Sequence, residues 1–133
     1  MAFISYSHRD QETADLLANG LEENGIKPWI DHRMIRNDDY AEDIVNGISA
    51  SSAFLLLVSP WSMQSADVLR EVRNACTISD SGELKIIPLM LERVSYPPKF
   101  SYYLAGLDFK DISGEPRGDK VLSLCRSLRQ EFC

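Results

Sequence analysis

With 133 residues, 44% of them hydrophobic and 26% charged, the chain has the make-up of one soluble globular domain, long enough to bury about two-thirds of its unfolded surface. A net charge of −6 argues against a general nucleic-acid binder, and no apolar run approaches the roughly eighteen residues needed to cross a bilayer. The start, Met1 to Tyr6, lacks the basic and long apolar stretches of a signal peptide. Three cysteines without paired spacing, two of them on expected helix core faces (Cys76 and Cys125), read as reduced thiols of a cytoplasmic protein.

In chain order, Ala2 to Tyr6 predict a short buried strand. Ser7 to Asp10 predict a polar loop in which Asp10 caps the next helix, with Glu12 well placed against the helix dipole. Ala14, Leu17, Ala18 and Leu21 repeat at helical spacing, and Gly25 suits the stop just past the end. Lys27 to Ile30 read as a second strand, at an edge because of Pro28. Asp31 to Asp39 make a long polar loop. Asp39 and Glu42 then have capping-box spacing, and Ala41, Ile44, Val45 and Ile48 mark a second amphipathic helix.

The run Ala53 to Val58 has no polar alternation, as expected of a central strand covered on both faces. Ser59 to Ser62 break it. From Ser65 a third helix is predicted, with Val68, Val72, Ala75 and Cys76 as its core face. Glu71 lies about 60° around that helix from Val68, at the border of the buried face. There a carboxylate can point into a cleft, although an ordinary boundary residue fits the same place. After the turn at Ser79 to Gly82, Leu84 to Leu91 read as a fourth strand. Its Pro88 must sit at a bulge or where a missing N–H is harmless. Glu92 to Ala105 carry no regular pattern. Gly106 to Lys110 read as a short fifth strand, and Val121, Leu124, Cys125, Leu128 and Phe132 give the face of a closing helix.

Strands alternating with helices imply a parallel sheet covered on both faces. With five strands and right-handed crossovers, the expected architecture is α/β, a flavodoxin-like doubly wound sheet of order 2-1-3-4-5. Ligands bind such sheets beyond the carboxyl ends of the strands, at the switch between strands one and three. That gathers Ser7, His8 and Arg9, the Asp31–Asp39 loop, Ser59 to Trp61 and Glu71 around one crevice. Several chemistries are excluded there. No phosphate-binding glycine motif and no G-x-S-x-G elbow is present, and Ser59 and Ser7-His8-Arg9 stand where a phospho-accepting receiver needs carboxylates. Two histidines poorly matched by cysteines do not suggest a zinc site.

Three stretches in combination resemble the Toll/interleukin receptor, or TIR, domain, in its bacterial form. They are Phe3-Ile4-Ser5-Tyr6-Ser7 followed by His8-Arg9-Asp10, then Trp29-Ile30-Asp31, then Ser65-x-x-Val68-x-x-Glu71-Val72. The resemblance spans essentially the whole chain, as a single TIR domain over residues 1–133. It departs from the family where Asn37-Asp38 replace a usual Pro-Gly, and where Asp67 replaces a Trp common in active members.

The resemblance implies an effector domain in bacterial defence signalling that cleaves the nicotinamide–ribose bond of NAD, with Glu71 catalytic. Substrate binding would fall to Tyr6, Ser7, Arg9, Trp29, Arg33, Arg36, Tyr40, Ser65 and Asp67. Arg9, Arg33 and Arg36 are the candidates for the pyrophosphate, and Trp29, Tyr40 or Trp61 for an aromatic wall. It further implies activation by TIR–TIR self-association into open strands or filaments, and a sensor domain or separate activator. NAD would be substrate, not cofactor, and neither a metal, a nucleic acid nor a membrane would take part. The alternatives are a non-catalytic TIR interaction module, or a relative that binds nucleotides or transfers bases.

Overall fold

The structure, a computed structural model, describes residues 1–30, 38–80 and 82–132. Strands and helices alternate along it: β1 (Ala2–Ser5), α1 (Gln11–Glu23), β2 (Pro28–Trp29), α2 (Asp38–Ser49), β3 (Ala53–Val58), α3 (Ala66–Ser79), β4 (Lys85–Met90), α4 (Pro98–Leu104), β5 (Lys110–Asp111) and α5 (Arg117–Phe132). Short 3-10 turns, His8–Asp10 and Ser62–Gln64, lead into α1 and α3. The strands pair in parallel in the order β2-β1-β3-β4-β5, the flavodoxin-like order expected. Among the described residues, no helix is long and apolar enough to cross a membrane.

Every side chain of β3 is buried, and successive ones serve two different cores. Ala53, Leu55 and Leu57 join Ala2 and Ile4 of β1, Leu17 and Leu21 of α1, and Leu124, Cys125 and Leu128 of α5. Phe54, Leu56 and Val58 join Phe3, Ile44 and Ile48 of α2, and Val68, Val72 and Ala75 of α3. Pairing sets Phe3 level with both Trp29 and Phe54, so three rings from adjacent strands stack on the α2/α3 face. Phe3 lies 4.7 Å from Trp29 and 5.4 Å from Phe54, centroid to centroid. Such stacks contribute about 0.5–1.5 kcal/mol each beyond the area they bury.

Two backbone details follow from residue type. Helix α1 ends at Gly25, whose φ of +78° only glycine adopts without cost. Gly25 N–H then donates to Glu22 O and Ile26 N–H to Leu21 O, the paired bonds that close a helix C-terminus. Pro88 sits in β4 without a bulge, in register with Leu56. Lys85 and Leu91 donate their N–H groups to Ser52 O and Val58 O, so odd-numbered donors face β3 and even-numbered positions face the β5 side. There β5 pairs only with Leu89 and Met90, so the donor that Pro88 lacks would have had no strand partner.

Several expectations are corrected. The fifth strand is Lys110–Asp111, not 106–110; Gly106 and Leu107 form a turn in which Leu107 N–H returns to Leu104 O. The apolar anchor beside that strand is Ile112, which is buried. The stretch without a pattern contains α4, which starts with Pro98 at its first position and buries Phe100 and Leu104 one turn apart. Asp39 does not precede the second helix, which already includes it. Val45 is exposed, while Ile44 and Ile48 of that stripe are buried. Cys125 is fully buried and its thiol is pushed up to about 11, burial being the larger cause and the charge of Glu23 the lesser. Cys76 is only half-buried; burial, with Asp80 adding to it, raises its thiol too. Cys133 lies outside the described residues.

The ring ladder predicts a specific intolerance. A Cβ on Gly47 of α2 would fall 2.7 Å from Cε2 and 2.8 Å from Nε1 of Trp29, closer than real contacts allow. The indole is backed by Phe3 and cannot retreat. Gly47→Ala should therefore lower urea-unfolding stability by about 1–3 kcal/mol, overriding the roughly 1 kcal/mol that alanine gains in a helix interior. A neutral or stabilising result would mean that Trp29 is not fixed there.

Candidate active site at the carboxyl edge of the sheet

The carboxyl ends of β1 and β3 adjoin, and each delivers a serine to a carboxylate on a different face of the sheet. On β1, strand alternation puts Ser5 on the same face as Phe3, toward α3. Ser5 is fully buried, and its Oγ donates to Glu71 Oε1 at 2.7 Å. That is an ordinary length for a hydroxyl-to-oxygen hydrogen bond. Glu71 itself is half-buried, the boundary position its helix spacing predicts.

Helix α3 is set in place from its start. Ser65 is its N-cap, accepting from Val68 N–H at 3.2 Å, a contact worth about 1 kcal/mol in comparable helices. Asp67, in the first turn, suits the helix dipole and pairs with Arg70 at 3.2 Å. Asp67 and Glu71 are one turn apart on the same side of the helix.

On the opposite face Ser59, just past β3, donates through Oγ to Asp10 Oδ2 at 2.5 Å. Ser59 and Ser62 cap each other: Ser59 N–H donates to Ser62 Oγ at 2.9 Å and Ser62 N–H to Ser59 Oγ at 3.1 Å. Arg117, opening α5, donates to Thr13 Oγ1 at 3.0 Å and to Leu91 O at 3.4 Å. Asp10 therefore does not cap α1 through its side chain; it is spent on Ser59. Ser7 caps the 3-10 turn, accepting from Arg9 N–H at 3.4 Å.

The Arg9 guanidinium lies 4.6 Å from the ring centroid of Trp61, which is 45% exposed. This joins the turn after β1 to the turn after β3. Trp29 is half-buried in the ring ladder, and Tyr6 packs against the α1/α5 core. Tyr40 belongs to the first turn of α2, while Arg33 and Arg36 lie outside the described residues. The structure thus sets Asp67 and Glu71 on one side of α3, behind the Ser65 cap, and Arg9 beside Trp61. Sequence reasoning set Ser59 at this edge but missed the polar roles of Ser5 and Arg117, and took Asp10 for a helix cap. Ser5 carried a signal, being a polar residue in a buried strand at the same parity as Phe3. Among the described residues no group of three His, Cys, Asp or Glu could hold a metal ion. The cleft lined by Asn24, Arg126, Arg129 and Gln130 lies at the C-terminal ends of α1 and α5, the far edge of the sheet from Glu71.

A family model for the TIR domain matches residues 2–125. No curated protein sequence matches the chain. Among solved structures, the TIR domain of the Toll-related receptor TRR-2 from Hydra magnipapillata is 22% identical, with a TM-score of 0.73 over 96% of this chain and 97% of that one. The TIR domains of the activated Roq1 resistosome, which recognises the pathogen effector XopQ, are 18% identical, with a TM-score of 0.71 over 98% of each chain. The CMP N-glycosidase BcmB of Clostridium botulinum is 17% identical, with a TM-score of 0.69 over 96% of this chain and 98% of that one. At these identities the likeness is one of fold.

The Asp10 cluster sets a pH dependence. Burial, reinforced by Glu92, raises the Asp10 carboxyl above its ordinary 3.8, against the opposing pull of Ser59 and Arg117. A carboxyl raised on folding stabilises the fold when protonated, and that contribution is lost as pH rises through the folded value. Asp10→Asn keeps an oxygen for Ser59 but no charge. Its melting temperature relative to wild type should be more favourable at pH 7 than at pH 3, where both side chains are neutral. The opposite trend would mean that Arg117 and Ser59 outweigh burial.

Proposed function

This chain belongs to the TIR domain family, and we propose that it is an NAD-cleaving enzyme of the glycohydrolase or cyclase type, with Glu71 as its catalytic carboxylate. The observation that carries this reading is the Glu71 side chain, half-buried and held at 2.7 Å by Ser5, the last residue of β1. Breaking the nicotinamide–ribose bond builds positive charge on the ribose. Nicotinamide leaves as a neutral molecule, so no general acid is required at that step. One fixed carboxylate can stabilise the cation and hold ribose hydroxyls. The fold's likeness to a CMP N-glycosidase supports the reading by analogy, since that activity also separates a base from its ribose.

In this proposal Arg9, beside Trp61, meets the pyrophosphate. Arg33 and Arg36, which follow β2 in the sequence, complete the site in a neighbouring copy. Ser65 and Asp67 serve through α3, and Tyr6, Ser7, Trp29 and Tyr40 border the substrate. Self-assembly would switch the domain on, through a sensor domain or separate activator, in bacterial defence signalling within the cytoplasm. The TIR domains of the Roq1 resistosome are a precedent for assembled TIR domains. A second reading, a non-catalytic module that docks on other TIR domains, is favoured by the commitment of Trp29 to the ring ladder.

Glu71→Gln separates the two. It removes a charge that acts in the transition state while keeping the shape, so turnover of NAD should fall on the order of a hundredfold or more, about 3 kcal/mol. Nucleotide affinity and thermal stability should change little. Wild-type release of nicotinamide should rise faster than linearly with protein concentration. A wild type that releases none, even when assembled, leaves the docking module as the function.

A further inference from the structure

We infer that Ser5 is the positioning residue for the Glu71 carboxylate, holding it in the conformation and charge state that the reaction uses. This rests on the reading of Glu71 as the reacting group. Three features carry it. Ser5 is 0% exposed, so its hydroxyl has no water to turn to, and its one proton is directed at Glu71 Oε1. The backbone of Ser5 is fixed by pairing with Leu56 of β3, so the donor sits on the sheet and not on a loop. Glu71 comes from a different element, 66 residues away in sequence, so the bond joins the helix that carries the carboxylate to the centre of the sheet.

The consequences are specific. A glutamate has a long, mobile side chain, and ordering it costs conformational entropy that a fixed donor offsets. Donation to the ionised form favours that form, so the hydroxyl also opposes the effect of partial burial on the carboxylate. A neutral hydroxyl does this without cancelling the negative charge, as a lysine or arginine at the same place would.

The test uses Ser5→Ala and Ser5→Thr. Removing the oxygen from a buried serine should leave the fold intact, with kcat down about tenfold and KM little changed, as expected when orientation of a catalytic group is lost. The acid limb of the pH–rate profile should move to higher pH, which a purely structural role would not produce. Ser5→Thr, which keeps the hydroxyl, should restore both. Independently of turnover, the side-chain carboxyl of Glu71 can be titrated by NMR, with Glu71→Gln identifying its signal. It should titrate at higher pH in Ser5→Ala than in wild type. Equal titration in the two proteins overturns the inference, whether or not NAD is cleaved. A shifted titration without NAD cleavage upholds the bond and counts against the proposed function alone.

Discussion

Side chains on a strand alternate between two faces, and in-register pairing forces neighbouring strands to keep the same parity. At the carboxyl edge of this sheet that rule decides what meets what. Phe3 faces α2 and α3, so Ser5 must as well, and there its buried hydroxyl meets Glu71 of α3. The stacked rings of Trp29, Phe3 and Phe54 tie the register of three strands together on that same face. A slip of one residue in β1 would send Phe3 into the α1/α5 layer and turn Ser5 away from Glu71. Packing deep in the fold and geometry at the site are thus one constraint.

The same parity rule produces the second polar pair. Ser59 continues the odd-numbered side of β3, whose members Ala53, Leu55 and Leu57 face α1 and α5, and there it meets Asp10. The two carboxylates are therefore separated by the sheet. Asp10 is enclosed by Ser59, Arg117 and Glu92 and joins the turn after β1 to the turn after β3. Glu71 meets Ser5 from a helix whose start is capped by Ser65. One pair ties the turns after β1 and β3 together, and the other ties α3 to the centre of the sheet.

Much of this was legible in the sequence because it is periodic. The strand order, the core stripes of α1, α3 and α5, and the boundary position of Glu71 all follow from spacings of two or of three to four residues. What was misread lacks a period. A strand of two residues, Lys110–Asp111, is too short to alternate, and the apolar Leu107 and Phe109 drew the expected strand upstream of it. Helix α4 begins at Pro97-Pro98, which looks like a loop until the proline is placed in the first turn. Asp10 looked like a helix cap because a local pattern cannot show that Ser59, 49 residues on, competes for its oxygen. The Ser5–Glu71 bond was hidden for the same reason, since only the folded sheet brings the two together.

The most direct measurement is a crystal structure of Glu71→Gln grown with NAD, in which an intact substrate can persist. The account predicts the nicotinamide ribose against α3, with its anomeric carbon about 3–3.5 Å from the residue 71 side chain, the separation of reacting groups held for attack. It also predicts the pyrophosphate near Arg9 and the Ser5 hydroxyl still directed at residue 71. NAD bound at another edge of the domain, or not bound at saturating concentration, would contradict it.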